Sequence, residues 1–332
     1  MCLYPKLILN RKYLPNKKNK GKIPEMIDDR AAFVPIGCGK CIECRKQKAD
    51  NWKIRLYEEV KTDKTGKFVT LTFSDESLIK LWDYCEQKNY SSYNTDNDIA
   101  TKAVRLFLER YRKQYKKSMK HWLITELGHT GTERIHLHGI LFTAVNNKEI
   151  ERLWSYGYVY IGDFVNEKTI NYIVKYVTKV DAQHKNYEPK ILTSAGIGKN
   201  YIANGMNVNK YSGDDTKDYY RTTQGYKKRL PIYYRNYVYT EEERELLWMQ
   251  KLDKEERYVM GEKVDVKDDE ENYFNLLNYY RRVNKSMGYG DDSLDWDAKL
   301  YKTNLNYLKL KTKLNKIQKK NDRFANTKTP KK

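Results

Sequence analysis

Long apolar runs are missing from this sequence of 332 residues. No stretch of about 18 apolar residues occurs, and no charged and then apolar leader ends in small residues. We therefore expect that nothing inserts the chain into a membrane or exports it, and that it stays in the cytoplasm. A G-x-x-x-x-G-K-[ST] loop is also absent, so no helicase motif is recognisable.

Cysteine and phenylalanine are scarce. Three of the five cysteines lie within seven residues, which favours reduced thiols or a metal over a disulfide framework in a chain of this size. Tyrosine, with 30 residues, far outnumbers phenylalanine, with 8. Together with abundant lysine and asparagine this resembles the codon bias of an AT-rich genome, so the aromatic count alone does not indicate base stacking.

Basic residues are in excess, with a formal charge of +20 and a pI near 9.4. The charge is concentrated in blocks, among them residues 17–22 and the lysine-rich end after Lys309. Such blocks predict a polyanionic partner. On the helix predicted below for residues 101–117, the polar face carries Arg105, Arg112 and Lys113 and is a candidate track for a phosphate backbone.

Periodicity divides the chain into elements. Residues 1–36 carry four prolines and no sustained period, which predicts an irregular arm, and a polar loop is expected over 85–98. The predicted helices are 45–61, 101–117, 148–154, 169–180, 240–258 and 273–284, and the predicted strands are 67–73, 121–127, 134–142 and 158–164. This order indicates an α+β fold, an antiparallel sheet with helices on one side.

Three regions follow from these elements. We expect a basic arm with a cysteine cluster and a helix over 1–62, a catalytic domain over 63–185, and an accessory, helical C-terminal region over 186–332. Thr240 followed by Glu243 predicts a capping box at the start of a helix. The tail over 299–332 holds twelve Lys or Arg against one Asp, with a weak helical stripe of leucines.

The first candidate site is His136-Leu137-His138 in RIHLHGILF. Because strand side chains alternate, both imidazoles leave the same face of a sheet, where they can chelate a divalent metal. Glu126 lies on the preceding strand and could add a carboxylate oxygen. Two nitrogens and one oxygen would form a ligand set that suits a metal which also binds a phosphate. The alternative is two half-exposed strand histidines and a surface glutamate.

The second candidate site is NYIVKYVTK over 171–179. At helical spacing Tyr172, Tyr176, Lys175 and Lys179 fall on one arc, so the two hydroxyls are neighbours on a basic face. The alternative is an ordinary amphipathic helix with solvated lysines.

The chemistry of these two sites is complementary. A tyrosine hydroxyl has a pKa of about 10, so its attack on a phosphodiester needs a metal and ammonium groups nearby. The expected product is a 5′-phosphotyrosine and a free 3′-hydroxyl, which can rejoin without ATP because the phosphotyrosine keeps the bond energy.

The third candidate site is Cys38-x-x-Cys41-x-x-Cys44. This spacing suits zinc or an iron–sulfur cluster, with Cys2 as the candidate fourth ligand. Reduced cysteines without a metal are the alternative. The neighbouring Lys40, Arg45 and Lys46 form a basic patch that could touch DNA phosphate.

Three segments carry a resemblance to a known family. KFVTLTF, RIHLHGILF and YIVKYVTK resemble, in order and interval, motifs 1, 2 and 3 of the HUH endonucleases that initiate rolling-circle replication. The double tyrosine resembles the initiators of Microviridae. CGKCIECRKQKADNWKIRLYEE, Trp154-Ser-Tyr-Gly-Tyr-Val and SAGIG (194–198) resemble the gokushovirus group, and the resemblance covers roughly residues 35–198.

The resemblance implies a fold, a site and partners. The fold would be a five-stranded antiparallel sheet flanked by helices, with His136 and His138 as ligands of magnesium or manganese and Tyr172 and Tyr176 as nucleophiles. Glu126 matches the acidic third ligand only approximately, because that position varies in the family. The chain would nick single-stranded origin DNA of a phage in the cytoplasm of its bacterial host, with a host helicase and polymerase as partners. The alternative is a non-enzymatic, zinc-stabilised nucleic-acid-binding protein.

Overall fold

A computed structural model of the chain describes residues 2–86, 92–129, 133–162, 164–184, 187–209, 211, 217–267 and 269–292. Residues 1–289 form one compact unit, and residues 290–332 form a second, of which 290–292 are described. The predicted basic tail over 299–332 lies outside the described residues. Within the described part, no helix is long and apolar enough to cross a membrane.

The described elements are strands, α-helices and two short 3-10 helices. The strands are β1 (Lys6–Leu9), β2 (Phe33–Ile36), β3 (Gly66–Leu71), β4 (Lys120–Leu127), β5 (Ile135–Phe142), β6 (Val159–Gly162), β7 (Ile191–Thr193), β8 (Tyr219–Arg221), β9 (Lys227–Arg229), β10 (Glu256–Val259) and β11 (Glu262–Asp265). The helices are α1 (Ile42–Thr62), α2 (Asp75–Glu86), α3 (Ser92–Tyr115), α4 (Asn147–Trp154), α5 (Glu167–Thr178), α6 (Asn200–Ala203), α7 (Gly205–Asn209), α8 (Ile232–Val238), α9 (Glu241–Asp253) and α10 (Glu271–Ser286), with 3-10 turns at Arg11–Tyr13 and Asp29–Ala32.

The central feature is a five-stranded sheet of order β6-β3-β5-β4-β7, in which every neighbouring pair is antiparallel. The four strands expected from alternation are present within a few residues of their predicted ends. The predicted α+β class and the five-stranded antiparallel sheet are thus confirmed. The fifth strand, β7, was not recognised in the sequence, because three partly buried residues are too few to show a period.

Helices cover both faces of this sheet. Helix α3 and helix α4 pack on one face, where Phe107 and Trp154 join the larger core. Helix α1 and helix α5 pack on the other face, where Leu56 and Ile173 join Trp122 in a second core. The expectation that helices lie on one side is therefore wrong, and the reason is that the central strands β4 and β5 are buried on both faces.

A close approach of two backbones sits at the centre of the sheet. A Cβ added to Gly139 on β5 would lie 2.0 Å from the carbonyl oxygen of Trp122 on β4. Since no side chain fits at that distance, glycine is required beside His138 for the two central strands to pair.

Three other expectations for the N-terminal half are corrected. The arm is irregular only in part, because β1 pairs antiparallel with β2 from Lys6 opposite Ile36 to Leu9 opposite Phe33, while residues 14–28 contain no helix or strand. Helix α2 was missed. Helix α3 begins at Ser92, inside the expected polar loop over 85–98. A helix in a polar segment shows only a weak apolar period when one narrow stripe of it is buried. Ile99 and Ala103 belong to such a stripe in α3.

The C-terminal part of the first unit contains the predicted capping box, with Thr240 and Glu243 bonded reciprocally through side chain and backbone. Helix α9 ends at Asp253 rather than 258, because the chain turns into the β10–β11 hairpin. Helix α10 covers the predicted 273–284. The division of the chain at 62 and 185 stays a prediction, although β7 completes the sheet from beyond residue 185.

The segment SAGIG is fastened to α1. The Gly198 amide donates to the buried Glu59 carboxylate at 2.6 Å, and its carbonyl accepts from Tyr234 at 2.9 Å. Arg55 donates to the carbonyl of Ile197 at 3.0 Å. Gly198 has φ +77°, a conformation that favours glycine. These contacts give the motif a structural function, which is to hold α1 beside the strand β7.

Candidate active site

Glu126, His136 and His138 meet on the face of the sheet that α5 covers. The register places Glu126 on β4 opposite His136 on β5, and Ile124 opposite His138. The Nε2 atoms of His136 and His138 lie 3.1 and 3.0 Å from the same carboxylate oxygen, Glu126 Oε2. The alternation of β5 and the antiparallel hairpin thus bring the three predicted metal ligands together.

The outer nitrogens of both imidazoles have partners that orient the rings. His136 Nδ1 lies 3.2 Å from the Arg134 carbonyl, and His138 Nδ1 lies 3.0 Å from Thr70 Oγ1 on β3. A ring that donates from Nδ1 presents its Nε2 lone pair to a metal, and such second partners typically raise ligand affinity. Thr70 was not singled out in the sequence, because only the register of β3 against β5 places it opposite His138.

The donor chemistry fits a divalent cation. Two imidazole nitrogens and one carboxylate oxygen lie within 4.8 Å of one another, and such a mixed set suits manganese or magnesium with open positions for a phosphate. Burial would raise the pKa of Glu126, but hydrogen bonds with His136, His138 and Lys179 outweigh burial and lower it well below its usual range. The carboxylate is therefore charged and ready to ligate at neutral pH.

Tyr172 and Tyr176 lie beside this triad on α5. Asn166 and Thr169 form a capping box that starts the helix, and Ile173 is buried against the sheet. The Tyr176 hydroxyl donates to the Tyr172 hydroxyl at 2.8 Å. The predicted neighbourhood of the two hydroxyls is present in the structure.

The two tyrosines have different environments. The Tyr176 ring is stacked on His138, with centroids 4.6 Å apart and 7° between the planes. Tyr176 is 6% exposed, whereas Tyr172 is 43% exposed. Burial, followed by the hydrogen bond to Tyr172, raises the pKa of Tyr176. The sequence pattern predicts that both tyrosines lie on one polar arc of the helix. In the structure, Tyr176 is buried and only Tyr172 is exposed.

The two lysines of the motif have different contacts. Lys175 Nζ lies 3.9 Å from the ring centroid of Tyr172 and 5.2 Å from that of Tyr176. Lys179 forms an ion pair with Glu126. Lys175 therefore lies against the rings of both tyrosines, and Lys179 offsets the negative charge of Glu126 in the triad.

Four cysteines form a second group of metal-ligating atoms. The Sγ atoms of Cys2, Cys38, Cys41 and Cys44 lie within 4.8 Å of one another. Backbone amides donate to three of these sulfurs, for example Cys38 N to Cys2 Sγ at 3.2 Å. Four converging thiols with amide donors fit zinc. The predicted fourth cysteine arrives because the β1–β2 pair folds the chain start back onto the cluster.

Cys41→Ser tests this group. We expect about one zinc per chain in the wild type and none in the variant, with a melting temperature lower by roughly 5–10 °C, because losing a structural metal removes several kcal/mol. Metal analysis after gel filtration and thermal unfolding measure both. Cys85→Ser is the matched control, since Cys85 lies outside the C-x-x-C spacing. A wild type without zinc would favour the metal-free alternative.

The predicted DNA-binding residues do not all lie near the triad. Arg105, Arg112 and Lys113 are exposed on α3, on the opposite side of the sheet. Arg45 donates to the Lys179 carbonyl at 3.1 Å, at the C-terminal end of α5. Two further residues of the basic patch are Lys40, which is paired with Glu188 at 3.3 Å, and Lys46, which is exposed.

A further group was not expected from the sequence: His129, Asp181 and His184. The residues are up to 55 positions apart, follow no metal-ligand spacing, and lie in irregular segments. Only the fold brings them together.

Comparison with known sequences first defines the class of protein. Residues 66–181 match the model of a family described as Replication-associated protein ORF2. This segment runs from the start of β3 through the triad and both tyrosines to Asp181. Over these residues the chain is similar to this family of replication-associated proteins.

Individual relatives come from two phages. The chain is 27% identical over 195 residues to Replication-associated protein ORF2 of Spiroplasma virus 4, covering 50% of this chain and 57% of that protein. It is 26% identical over 283 residues to Replication-associated protein VP4 of Bdellovibrio phage phiMH2K, covering 76% of this chain and 83% of that protein. The predicted relation to replication proteins of Microviridae is confirmed. No solved structure matches.

Proposed function

We propose that the chain is a metal-dependent, two-tyrosine nickase and strand transferase of the HUH type, which initiates rolling-circle replication on single-stranded phage DNA. The observation that carries the proposal is the hydroxyl pair of Tyr172 and Tyr176 beside the Glu126–His136–His138 triad, with Tyr176 stacked on His138. A structural role alone does not account for two converging imidazoles, a charged carboxylate and an exposed phenol at one place.

Tyr172 is the first nucleophile in this proposal. Its hydroxyl accepts a hydrogen bond from Tyr176, its side chain is exposed to solvent, and its ring lies near the Lys175 ammonium. Both neighbours stabilise a phenolate oxygen. Burial raises the pKa of Tyr176, so Tyr176 keeps its proton and donates it in the hydrogen bond to Tyr172.

The reaction transfers one phosphoryl linkage. Tyr172 Oη forms a bond to the scissile phosphorus and releases the phenolic proton to solvent. The bond between phosphorus and the 3′ oxygen breaks, and that oxygen leaves with its electron pair and takes up a proton. A divalent cation held by Glu126, His136 and His138 would polarise a non-bridging phosphate oxygen. The reverse reaction rejoins the original strand. Attack by Tyr176 on a second phosphate would form a second phosphotyrosine and free a second 3′-hydroxyl. Attack of that hydroxyl on the Tyr172 phosphotyrosine would join the two strands and release the Tyr172 oxygen, which takes up a proton.

DNA binding follows from the replication function and from the net charge of +20. We place the scissile strand at the exposed side of Tyr172, close to Lys175. Arg45 and Lys46 on α1 would hold flanking phosphates. The exposed basic face of α3 lies across the sheet and would serve a different stretch of DNA. A host helicase and polymerase stay predicted partners.

The test is a covalent adduct assay with the full chain. The substrates, called tiles below, are single-stranded oligonucleotides that together cover the genome encoding the chain. Each tile is labelled at the 3′ end or at the 5′ end and incubated with manganese, with and without chelator. Because a 5′-phosphotyrosine retains the downstream fragment, we expect a labelled protein band from the 3′-labelled tile alone, lost with chelator and in the Tyr172→Phe/Tyr176→Phe double variant.

Other outcomes have a definite meaning. An adduct from the 5′-labelled tile would reverse the proposed polarity. Salt-sensitive binding without any adduct on every tile would favour the zinc-stabilised binding protein, which the four-cysteine group supports.

A further inference from the structure

A second cluster of ligating side chains lies outside the candidate active site. His129 follows β4, and Asp181 and His184 follow α5. One ligating atom from each of the three lies within 4.8 Å of the others. The ring centroids of the two histidines are 6.2 Å apart, with 36° between the planes. These three residues are called the outer cluster below.

The backbone orients two members of the outer cluster. Asp181 Oδ1 accepts hydrogen bonds from the backbone amides of Gln183 at 3.0 Å and His184 at 2.9 Å. Its other oxygen, Oδ2, lies 2.8 Å from His184 Nδ1. The carboxylate and the imidazole are thus held in contact by a tight turn, before any ligand is added.

The third member faces solvent. The His129 side chain is 34% exposed, against 9% for Asp181 and 7% for His184. His129 Nδ1 lies 3.8 Å from Asp181 Oδ1 and 3.2 Å from Gln183 Oε1. A buried, oriented pair and a third donor at the surface leave a direction from which an ion can enter.

Acidic residues around the outer cluster also favour a cation. Glu133 Oε2 lies 3.2 Å from His184 Nε2, so two carboxylates face two imidazoles within a few ångströms. Mixed nitrogen and oxygen donors suit divalent transition metals such as manganese, zinc, cobalt or nickel.

We propose that His129, Asp181 and His184 form a second divalent transition-metal site, separate from the Glu126–His136–His138 triad. The proposal rests on geometry and donor chemistry, and it holds whether or not the chain cleaves DNA. The competing explanation is a metal-free hydrogen-bonded turn, in which Asp181 only orients His184.

The place of the outer cluster gives such an ion a function. A small cavity lies between the cluster and the triad, and its lining includes Glu126 from the triad and His129 and Asp181 from the cluster. Lys179 also lines it. An ion in the outer cluster would tie the end of β4 to the segment that follows α5. It would thereby position the C-terminal end of α5, next to Lys179, and add positive charge beside the candidate active site.

Counting bound Mn²⁺ tests the proposal. Manganese has little affinity for thiolates, so the electron paramagnetic resonance signal of free Mn²⁺, measured in titrations of the full chain, reports nitrogen and oxygen sites. We expect two ions per wild-type chain, one in His129→Ala/His184→Ala, one in His136→Ala/His138→Ala, and none in the quadruple variant.

A milder substitution guards against misfolding, because His184 is buried. His129→Ala alone removes a half-exposed ring and should weaken one of the two Mn²⁺ sites by roughly 10-fold or more, with an unchanged circular dichroism spectrum. The proposal is wrong if the wild type binds one ion and if that ion is lost only with the triad histidines. It is equally wrong if His129→Ala leaves both affinities unchanged.

Discussion

Tyr172→Phe is expected to reduce formation of the first covalent adduct by roughly 1,000-fold or more, because it removes the exposed nucleophile. Tyr176→Phe should lower the same rate only by about 10-fold, the value of one hydrogen bond to the developing phenolate. The difference follows from the exposures of 43% for Tyr172 and 6% for Tyr176.

The second step, strand transfer, should depend more strongly on Tyr176 than formation of the first adduct does. With Tyr176→Phe we expect the first adduct to accumulate, since Tyr176 can no longer cleave the second phosphate whose 3′-hydroxyl would release that adduct. Single-turnover adduct formation and strand transfer to a second labelled oligonucleotide measure the two steps separately. Tyr237→Phe is the matched control, because Tyr237 is an exposed tyrosine on α8, outside the candidate site. If Tyr176→Phe abolished the first adduct and Tyr172→Phe did not, the assigned order would be reversed.

His138→Gln is expected to lower the manganese-dependent adduct by about 1,000-fold, which corresponds to losing about 4 kcal/mol of transition-state stabilisation. Glutamine can keep a hydrogen bond to Thr70, but it removes both the imidazole ligand and the ring on which Tyr176 stacks. Binding of single-stranded DNA should change little, because phosphate contacts supply most of the affinity.

His121→Gln is the control for this substitution. His121 lies on β4, but its side chain leaves the opposite face from Glu126 and meets Ser194, with His121 Nδ1 2.9 Å from Ser194 Oγ. We expect full adduct formation from this variant once thermal unfolding has shown that it is folded. A His138→Gln variant with wild-type, chelator-sensitive cleavage would remove His138 from the metal site.

The four-cysteine group is linked to the candidate active site through α1. Cys41 caps the start of this helix, and four residues later Arg45 donates a hydrogen bond to the Lys179 carbonyl. Asn284 of α10 accepts from the Ile42 amide at 2.8 Å, so three distant segments meet at one helix start. Loss of zinc should therefore disturb the end of α5, and adduct formation by Cys41→Ser should fall together with its melting temperature.

Elements with strong local periods were predictable. The strands of the central hairpin and the helices α1, α4 and α5 appear near their predicted positions, because apolar residues recur there at the spacing of the element. Helix α2 and strand β7 were missed. The first has a narrow buried stripe, and the second has three residues, so neither produces a period that differs from chance.

The sequence by itself determined which chemical groups share a face. In any strand His136 and His138 leave the same side, and in any helix Tyr172 and Tyr176 are one turn apart, since backbone geometry sets both periods.

Only the tertiary structure decided how distant groups meet. Pairing of β1 with β2 brings Cys2 to its three partners, the register of β3 brings Thr70 to His138, and packing of α5 on the sheet buries Tyr176 but leaves Tyr172 exposed. The outer cluster likewise joins residues up to 55 positions apart. The physical reason is that such contacts depend on strand register and helix packing. Register and packing are determined by the burial of the whole core, and they leave no local period in the sequence.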